Sequence, residues 1–213
     1  QINMYRITLI ILSLAFIGMS TITFYLIKEN KSEYMDVNKF QHASSSGNTA
    51  EAIQQAFIIQ TLNSNTKLND KVIRDLSGNE ILLSDAIGGK SLLFIRFSEL
   101  NCNECITYIL NKVRRLSVQK GYSDKIILLA TYKEVRNLKI LIKDMQLTFP
   151  VYLIDGLNIP CEEINYPYCF VSDSSLLANQ VFIPDRSESK MTNLYFDLIE
   201  IKYFTTKIQN AIN

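Results

Sequence analysis

No basic block interrupts this chain of 213 residues: 22 Lys and Arg are dispersed among 21 Asp and Glu, for a net charge of +1. The electrostatic footprint of a protein that grips a phosphate backbone is missing, so nucleic acid is excluded as the expected partner. Histidine is almost absent. The one copy, His42, lies in a polar stretch with no cluster of ligand-type residues around it, and reads as a solvated linker residue rather than a base or metal ligand. No internal repeat is visible.

Charge of either sign is also missing from residues 7–27, a run rich in Ile, Leu, Phe and Met. At about 1.5 Å per residue, a helix of that length just crosses a hydrocarbon core of about 30 Å. Arg6 precedes the run and the mixed-charge residues 28–31 follow it, so the expectation is a transmembrane anchor with the N-terminus inside and the remainder on the extracytoplasmic or periplasmic side. A cleaved signal peptide is the competing reading. The run is longer than a typical signal core and no clear A-x-A site follows it, which favours the anchor. No cysteine follows the run to suggest a lipoprotein.

The expected organisation is an anchor over 1–30, a tether and short helix over 31–66, and one domain over 67–213; with 47% hydrophobic residues the chain can fill such a core. Residues 32–49 are too polar to bury anything and read as a tether. A short helix over 50–62 follows, with Ile53, Ala56, Phe57 and Ile58 expected on its packing stripe. Residues 70–83 alternate and turn at Ser77-Gly78-Asn79, the pattern of a hairpin.

Residues 91–106 organise the rest. An apolar run the length of a buried strand, Ser91 to Phe97, leads through a polar turn to Cys102-Asn103-Glu104-Cys105, where an amphipathic helix opens. Ile106, Ile109, Leu110, Val113 and Leu116 recur at helical spacing, with Lys112, Arg114, Arg115 and Lys120 opposite. Cys102 thus falls at a helix N-terminus, where unpaired N–H groups and the helix dipole favour a thiolate. Cys105 lies one turn on, within reach.

Beyond it come a doubly buried strand at 125–131, a helix presenting Val135, Leu138, Leu141, Ile142 and Met145, and a short strand at 150–155. A hairpin of 165–173 with 180–184 turns at Asp173-Ser174-Ser175, with Pro167 at the start of its first strand. A last helix from Lys190 to about Ile208 is expected to bury Leu194, Leu198, Ile201 and Ile208 against the other face of the sheet. Strands alternating with helices predict an α/β domain with a mixed sheet.

This order of elements, with the C-x-x-C opening a helix and the X-Pro ahead of a later strand, resembles the thioredoxin fold. It is most similar to membrane-anchored TlpA/ResA-type thiol-disulfide oxidoreductases and related redoxin-domain proteins, over about residues 67–210. The resemblance rests on Asp75 to Asp85, Gly89 to Phe97, Cys102 to Cys105, Phe149 to Asp155, and Tyr166-Pro167. It implies a three-layer sandwich, a central mixed sheet flanked by helices. It also implies that Cys102 is the nucleophile, that Cys105 resolves the mixed disulfide, and that Pro167 is cis, facing the sulfurs beside Tyr166 in a site for the partner chain. The sequence departs from the family pattern: Asn101 stands where Trp is usual, Asn103-Glu104 where Gly-Pro is frequent, and there is no Trp anywhere. Glu104 is expected to oppose a neighbouring thiolate.

The leading expectation is a cofactor-free dithiol-disulfide oxidoreductase whose partners are protein thiols and disulfides. The competing class is a redox-inactive thioredoxin-like module that holds a protein or peptide near Pro167. A structural disulfide is the plainer reading of the C-x-x-C alone. A peroxiredoxin-type peroxidase is disfavoured because Glu99 and Ile95 occupy the places of its threonine and proline. A zinc site on Cys102, Cys105, Cys161 and Cys169 is disfavoured by the spacing of the second pair. Whether Cys161 and Cys169 pair with each other stays open.

Overall fold

The computed structural model describes residues 49–205. The expected anchor at 7–27, the tether and His42 lie outside the described residues. No helix within the described residues is long and apolar enough to cross a membrane.

Eight strands form one sheet in the order β1-β8-β7-β4-β5-β6-β2-β3. Their ranges are β1 Thr66–Lys67, β2 Val72–Asp75, β3 Glu80–Leu82, β4 Leu92–Ser98, β5 Ile126–Thr131, β6 Val151–Leu153, β7 Tyr168–Ser172 and β8 Leu177–Phe182. The β4-β5-β6 centre is parallel, and β7 runs antiparallel to β4, so the sheet is mixed. The helices are α1 Thr49–Asn63, α2 Leu83–Ile87, α3 Asn103–Arg114, α4 Val135–Asp144 and α5 Ser189–Ile199.

Alternation along β4 divides the core in two. Leu93, Ile95 and Phe97 pack on one face with Ile106, Ile109, Leu110 and Val113 of α3, Leu138 of α4, and Phe196 and Ile199 of α5. Leu92 and Phe94 pack on the other with Ile73, with Leu83 and Ile87 of α2, and with the 154–161 loop. Strands β4 and β5 are buried on both sides, which is why they read as unbroken apolar runs. At the centre of the second face, Phe94 stacks on Phe170 with ring centroids 4.9 Å apart.

The β2-β3 hairpin forms as its sequence predicts. Asp75 takes the Ser77 and Asn79 amides on one carboxylate oxygen and the Asn79 side chain on the other, which closes the turn and holds its pKa below the usual carboxylate value. The helix α4 turns the expected stripe inward, with Leu138 buried at its centre and Val135, Leu141, Ile142 and Met145 half-buried.

Two helices present faces other than the expected ones. In α1 the inward residues are Ile59 and Asn63, whereas Ile53 and Phe57 are exposed, Phe57 by 67%. Apolar residues occupy most sides of this helix, so periodicity does not select the face; β8 and the loop do, through Asn63, whose side chain accepts the Cys161 amide at 2.7 Å. In α5 the buried residues are Thr192, Phe196 and Ile199, while Leu194, Leu198 and, in the turn that follows, Ile201 are exposed; Ile208 lies outside the described residues. It also lies on the same face as α3, not the opposite one. Phe196 and Ile199 bury more apolar surface against the α3 residues of this core, and along the same seam Lys112 donates to Asn193 and Lys120 pairs with Glu200.

The β7-β8 hairpin turns at the expected Asp173–Ser175, but β8 begins at Leu177 and carries a bulge at Gln180 (φ 52°). Two residues of β8, Gln180 and Val181, stand opposite the single Phe170 of β7, and the extra residue bends β8 where Tyr195 of α5 donates to the Gln180 carbonyl at 2.9 Å.

Candidate active site

The side chain of Cys102 caps α3. Its sulfur accepts the Cys105 backbone N–H at 3.3 Å, and Cys102 is exposed. Cys105, half-buried in the first turn, sits so that its thiol donates to the same sulfur. That hydrogen bond, then the Cys105 and Glu104 amides, lowers the Cys102 pKa below that of a free thiol. Cys105 responds in the opposite sense. Burial, the bond it donates to Cys102 and the Cys102 charge push its pKa up to about 12.

Glu104 raises the Cys102 pKa as expected, as the smallest of the influences on it, and Arg186 pairs with Glu104 at 2.5 Å. Arg186 also lowers the pKa of Cys105 by its charge. Sequence reasoning missed this residue. It lies 82 positions from Glu104 on the loop leading into α5, and only the packing of α5 beside α3 brings the two together.

The loop that carries Cys102 is latched to the run that leads to Pro167. Asn101 is buried; its side-chain oxygen accepts the Ser98 amide at 2.7 Å, and its side-chain nitrogen donates to both the backbone and the side-chain oxygens of Asn165, each at 2.9 Å. A second latch lies below. Arg96, 5% exposed at the end of β4, donates to Glu162 at 2.9 Å, to the Phe97 carbonyl at 2.7 Å and to Thr131 at 2.8 Å. Glu162 in turn accepts the Leu157 and Asn158 amides. The first latch makes the position ahead of Cys102, where the resemblance implies Trp, a hydrogen-bonded tie between loops through Asn101.

The Tyr166-Pro167 bond is trans, since no cis peptide occurs among the described residues. This corrects the cis expectation. Asn165 in the left-handed region (φ 57°) ends the 3-10 turn Pro160–Ile164, and the chain enters β7 with the trans form, which X-Pro bonds favour by about 0.5–1 kcal/mol. Pro167 is buried and Tyr166 is partly exposed, with Tyr166 and Asn101 lining one pocket.

Cys161 and Cys169 do not pair with each other: all four cysteines are free thiols, and these two are buried in the cores on opposite faces of the sheet. Burial pushes both thiols far up. Because the sheet separates them, neither a second disulfide nor an all-thiolate site of the four cysteines fits this arrangement, and among the described residues no group of His, Cys, Asp and Glu is placed to hold a metal ion. Ile95 is a core residue and Glu99 accepts the Lys133 amide, so neither faces the sulfurs as a peroxide-binding group.

A cysteine-capped helix follows a buried central strand, with parallel strands on one side of it and an antiparallel hairpin on the other. The fold is thioredoxin-like. No family model and no curated protein matches the sequence. Among solved structures, the chain is similar to a thiol:disulfide interchange protein from a Bacteroides species, at 17% identity and a TM-score of 0.48, covering 69% of this chain and 94% of that one. It is similar to a peroxidoxin from Mycobacterium tuberculosis at 13% identity and a TM-score of 0.48, covering 66% and 99%. A thiol-disulfide oxidoreductase from Bacteroides fragilis aligns at 11% identity and a TM-score of 0.45, covering 62% and 98%.

Proposed function

We propose that the domain is a thiol-disulfide oxidoreductase that exchanges the Cys102–Cys105 dithiol with disulfides of partner proteins. The observation that carries this reading is the asymmetry of the pair: an exposed, N-capping sulfur stabilised as thiolate beside a half-buried thiol held protonated. The Cys102 thiolate attacks one sulfur of the partner disulfide, a new S–S bond forms, and the partner's other sulfur leaves as thiolate. Two of the causes that keep Cys105 protonated, its bond to Cys102 and the Cys102 charge, disappear once Cys102 is in the mixed disulfide. Cys105 then gives its proton to the departing thiolate or to solvent and attacks the Cys102 sulfur. The partner is released as a dithiol, reduced by two electrons, and the Cys102–Cys105 disulfide remains. The exchange needs no cofactor.

Tyr166 and Pro167 are proposed as the ground for the partner segment, tied by Asn165 to the loop that presents Cys102. The apolar run 7–27 is proposed as the anchor that holds the domain outside the cytoplasm, where disulfides persist. Alkaline carbonate should leave the full chain in the membrane pellet; release with a new N-terminus near residue 27 would replace the anchor with a signal peptide. Exchange itself is tested by trapping. Cys105→Ser should accumulate a mixed disulfide with a protein disulfide substrate, and Cys102→Ser should accumulate none. Absence of any adduct and of any turnover would favour the redox-inactive binding module.

A further inference from the structure

The second half of the exchange falls to the less reactive sulfur. Cys105 is half-buried and its thiol is held protonated, so release of a mixed disulfide waits on a thiolate at that position. The ionisable groups around it come from two elements: Cys102 and Glu104 from its own helix, Asp185 and Arg186 from the loop leading into α5. Of these only Arg186 carries a positive charge.

Packing fixes where Arg186 stands. Thr192 of α5, fully buried, donates its hydroxyl to the Asp185 carbonyl at 3.1 Å, and the Asp185 carboxylate accepts the Ser187 amide and hydroxyl, each at 2.7 Å. The loop and the start of α5 are then tied to α3 at two points, Arg186 on Glu104 at 2.5 Å and Lys112 on Asn193 at 2.7 Å. Glu104 immediately precedes Cys105, so this tie sets the guanidinium beside the turn that holds both cysteines. An exposed ion pair adds little to stability. What this one does is hold a positive charge beside a sulfur that must ionise.

We propose that Arg186 is a positioning residue for the resolving step: its guanidinium, set on Glu104 beside the first turn of α3, stabilises the Cys105 thiolate as it attacks the mixed disulfide. The inference rests on the redox reading and assigns a residue to its second step. There the Cys105 thiol gives its proton to solvent and the thiolate attacks the Cys102 sulfur. The Cys102–Cys105 bond forms, the bond from Cys102 to the partner breaks, and the partner's sulfur leaves as thiolate. With Cys102 bonded to the partner, its charge no longer opposes Cys105, and Arg186 acts against burial and Asp185 alone. Solvent screens this attraction only in part, because Cys105 is half-buried.

The test is the reaction of the reduced full chain with dithiodipyridine, a neutral disulfide, followed by thiopyridone absorbance across pH. Attack by Cys102 gives a first release whose rate scales with the reagent; displacement by Cys105 gives a second whose rate does not. The two sulfurs are thus read separately. Arg186→Ala should slow the second release about threefold at neutral pH and move its pH midpoint up by about half a unit, and Arg186→Lys should restore both. A second release unchanged in Arg186→Ala, slowed with its midpoint unmoved, or slowed equally in Arg186→Lys would overturn the role of the charge. A wild-type chain that gives the first release and never a reagent-independent second one would overturn the redox reading instead.

Discussion

Cys102 and Cys169 are 67 residues apart in sequence and belong to neighbouring regions of one fold, yet they are opposite kinds of sulfur. One caps a helix in solvent and takes two backbone amides and a thiol hydrogen. The other is completely buried between α3, α5 and the sheet, with burial as the only influence on it. The difference lies in the element each occupies. A helix start leaves N–H groups that need an acceptor, whereas a central strand has its backbone groups paired already and offers only apolar neighbours. On the proposed reading, reactivity follows backbone position, since the cysteine side chain supplies the same atom in both places.

Substitution should separate the two regions most sharply. Cys102→Ser is expected to remove disulfide exchange entirely while moving stability by no more than about 0.5 kcal/mol, since the side chain is exposed. Cys169→Ser should do the reverse. A hydroxyl placed in that apolar core costs about 1–3 kcal/mol, read as a lower denaturant midpoint at unchanged slope, and exchange by the folded fraction should keep its rate. A Cys169→Ser protein as stable as the wild type would break the comparison.

The next effect is in pH. Iodoacetamide reacts with thiolates, so the Cys102 rate should rise with pH through a midpoint below the free-thiol value and level off above it. Cys105, held protonated up to about 12, should contribute no second step between roughly pH 6 and 9. Once Cys102 is blocked as a mixed disulfide, the Cys105 midpoint should fall.

The smallest effects concern the Glu104–Arg186 pair. Arg186→Ala leaves an unpaired carboxylate beside the thiolate and should slow neutral-pH alkylation of Cys102 by about two- to threefold, whereas Glu104→Gln should speed it by a similar or smaller factor. Opposite signs are the informative part. The same sign for both would mean that the pair acts through the shape of the loop.

The strand, the C-x-x-C and the helix after it were legible because each rests on a local pattern: an apolar run, a cap position and a stripe from Ile106 to Leu116 that is buried throughout. The buried stripe of α4 was legible for the same reason. What could not be read depends on distant contacts. Leu194, Leu198 and Ile201 make a plausible stripe, but it is Phe196 and Ile199 that pack into the core beside α3, with Lys112 and Lys120 bonding along the same seam. The Arg186 partner of Glu104, the Asn101–Asn165 latch and the Arg96–Glu162 tie join segments 64 to 82 residues apart. The isomer of the bond before Pro167 is a single torsion, and neither it nor the left-handed Asn165 just ahead of it is signalled by any pattern around it.

On the proposed reading, backbone position sorts these sulfurs into one reactive thiolate and three protected thiols. Competitive alkylation of the reduced, folded protein, with each cysteine quantified by mass spectrometry across pH, tests it directly. The predicted result is rapid labelling of Cys102 with a midpoint below that of a free thiol, slow labelling of Cys105, and none of Cys161 or Cys169 until the protein unfolds. Labelling of Cys105 as fast as Cys102, or a Cys102 midpoint at the free-thiol value, would contradict it.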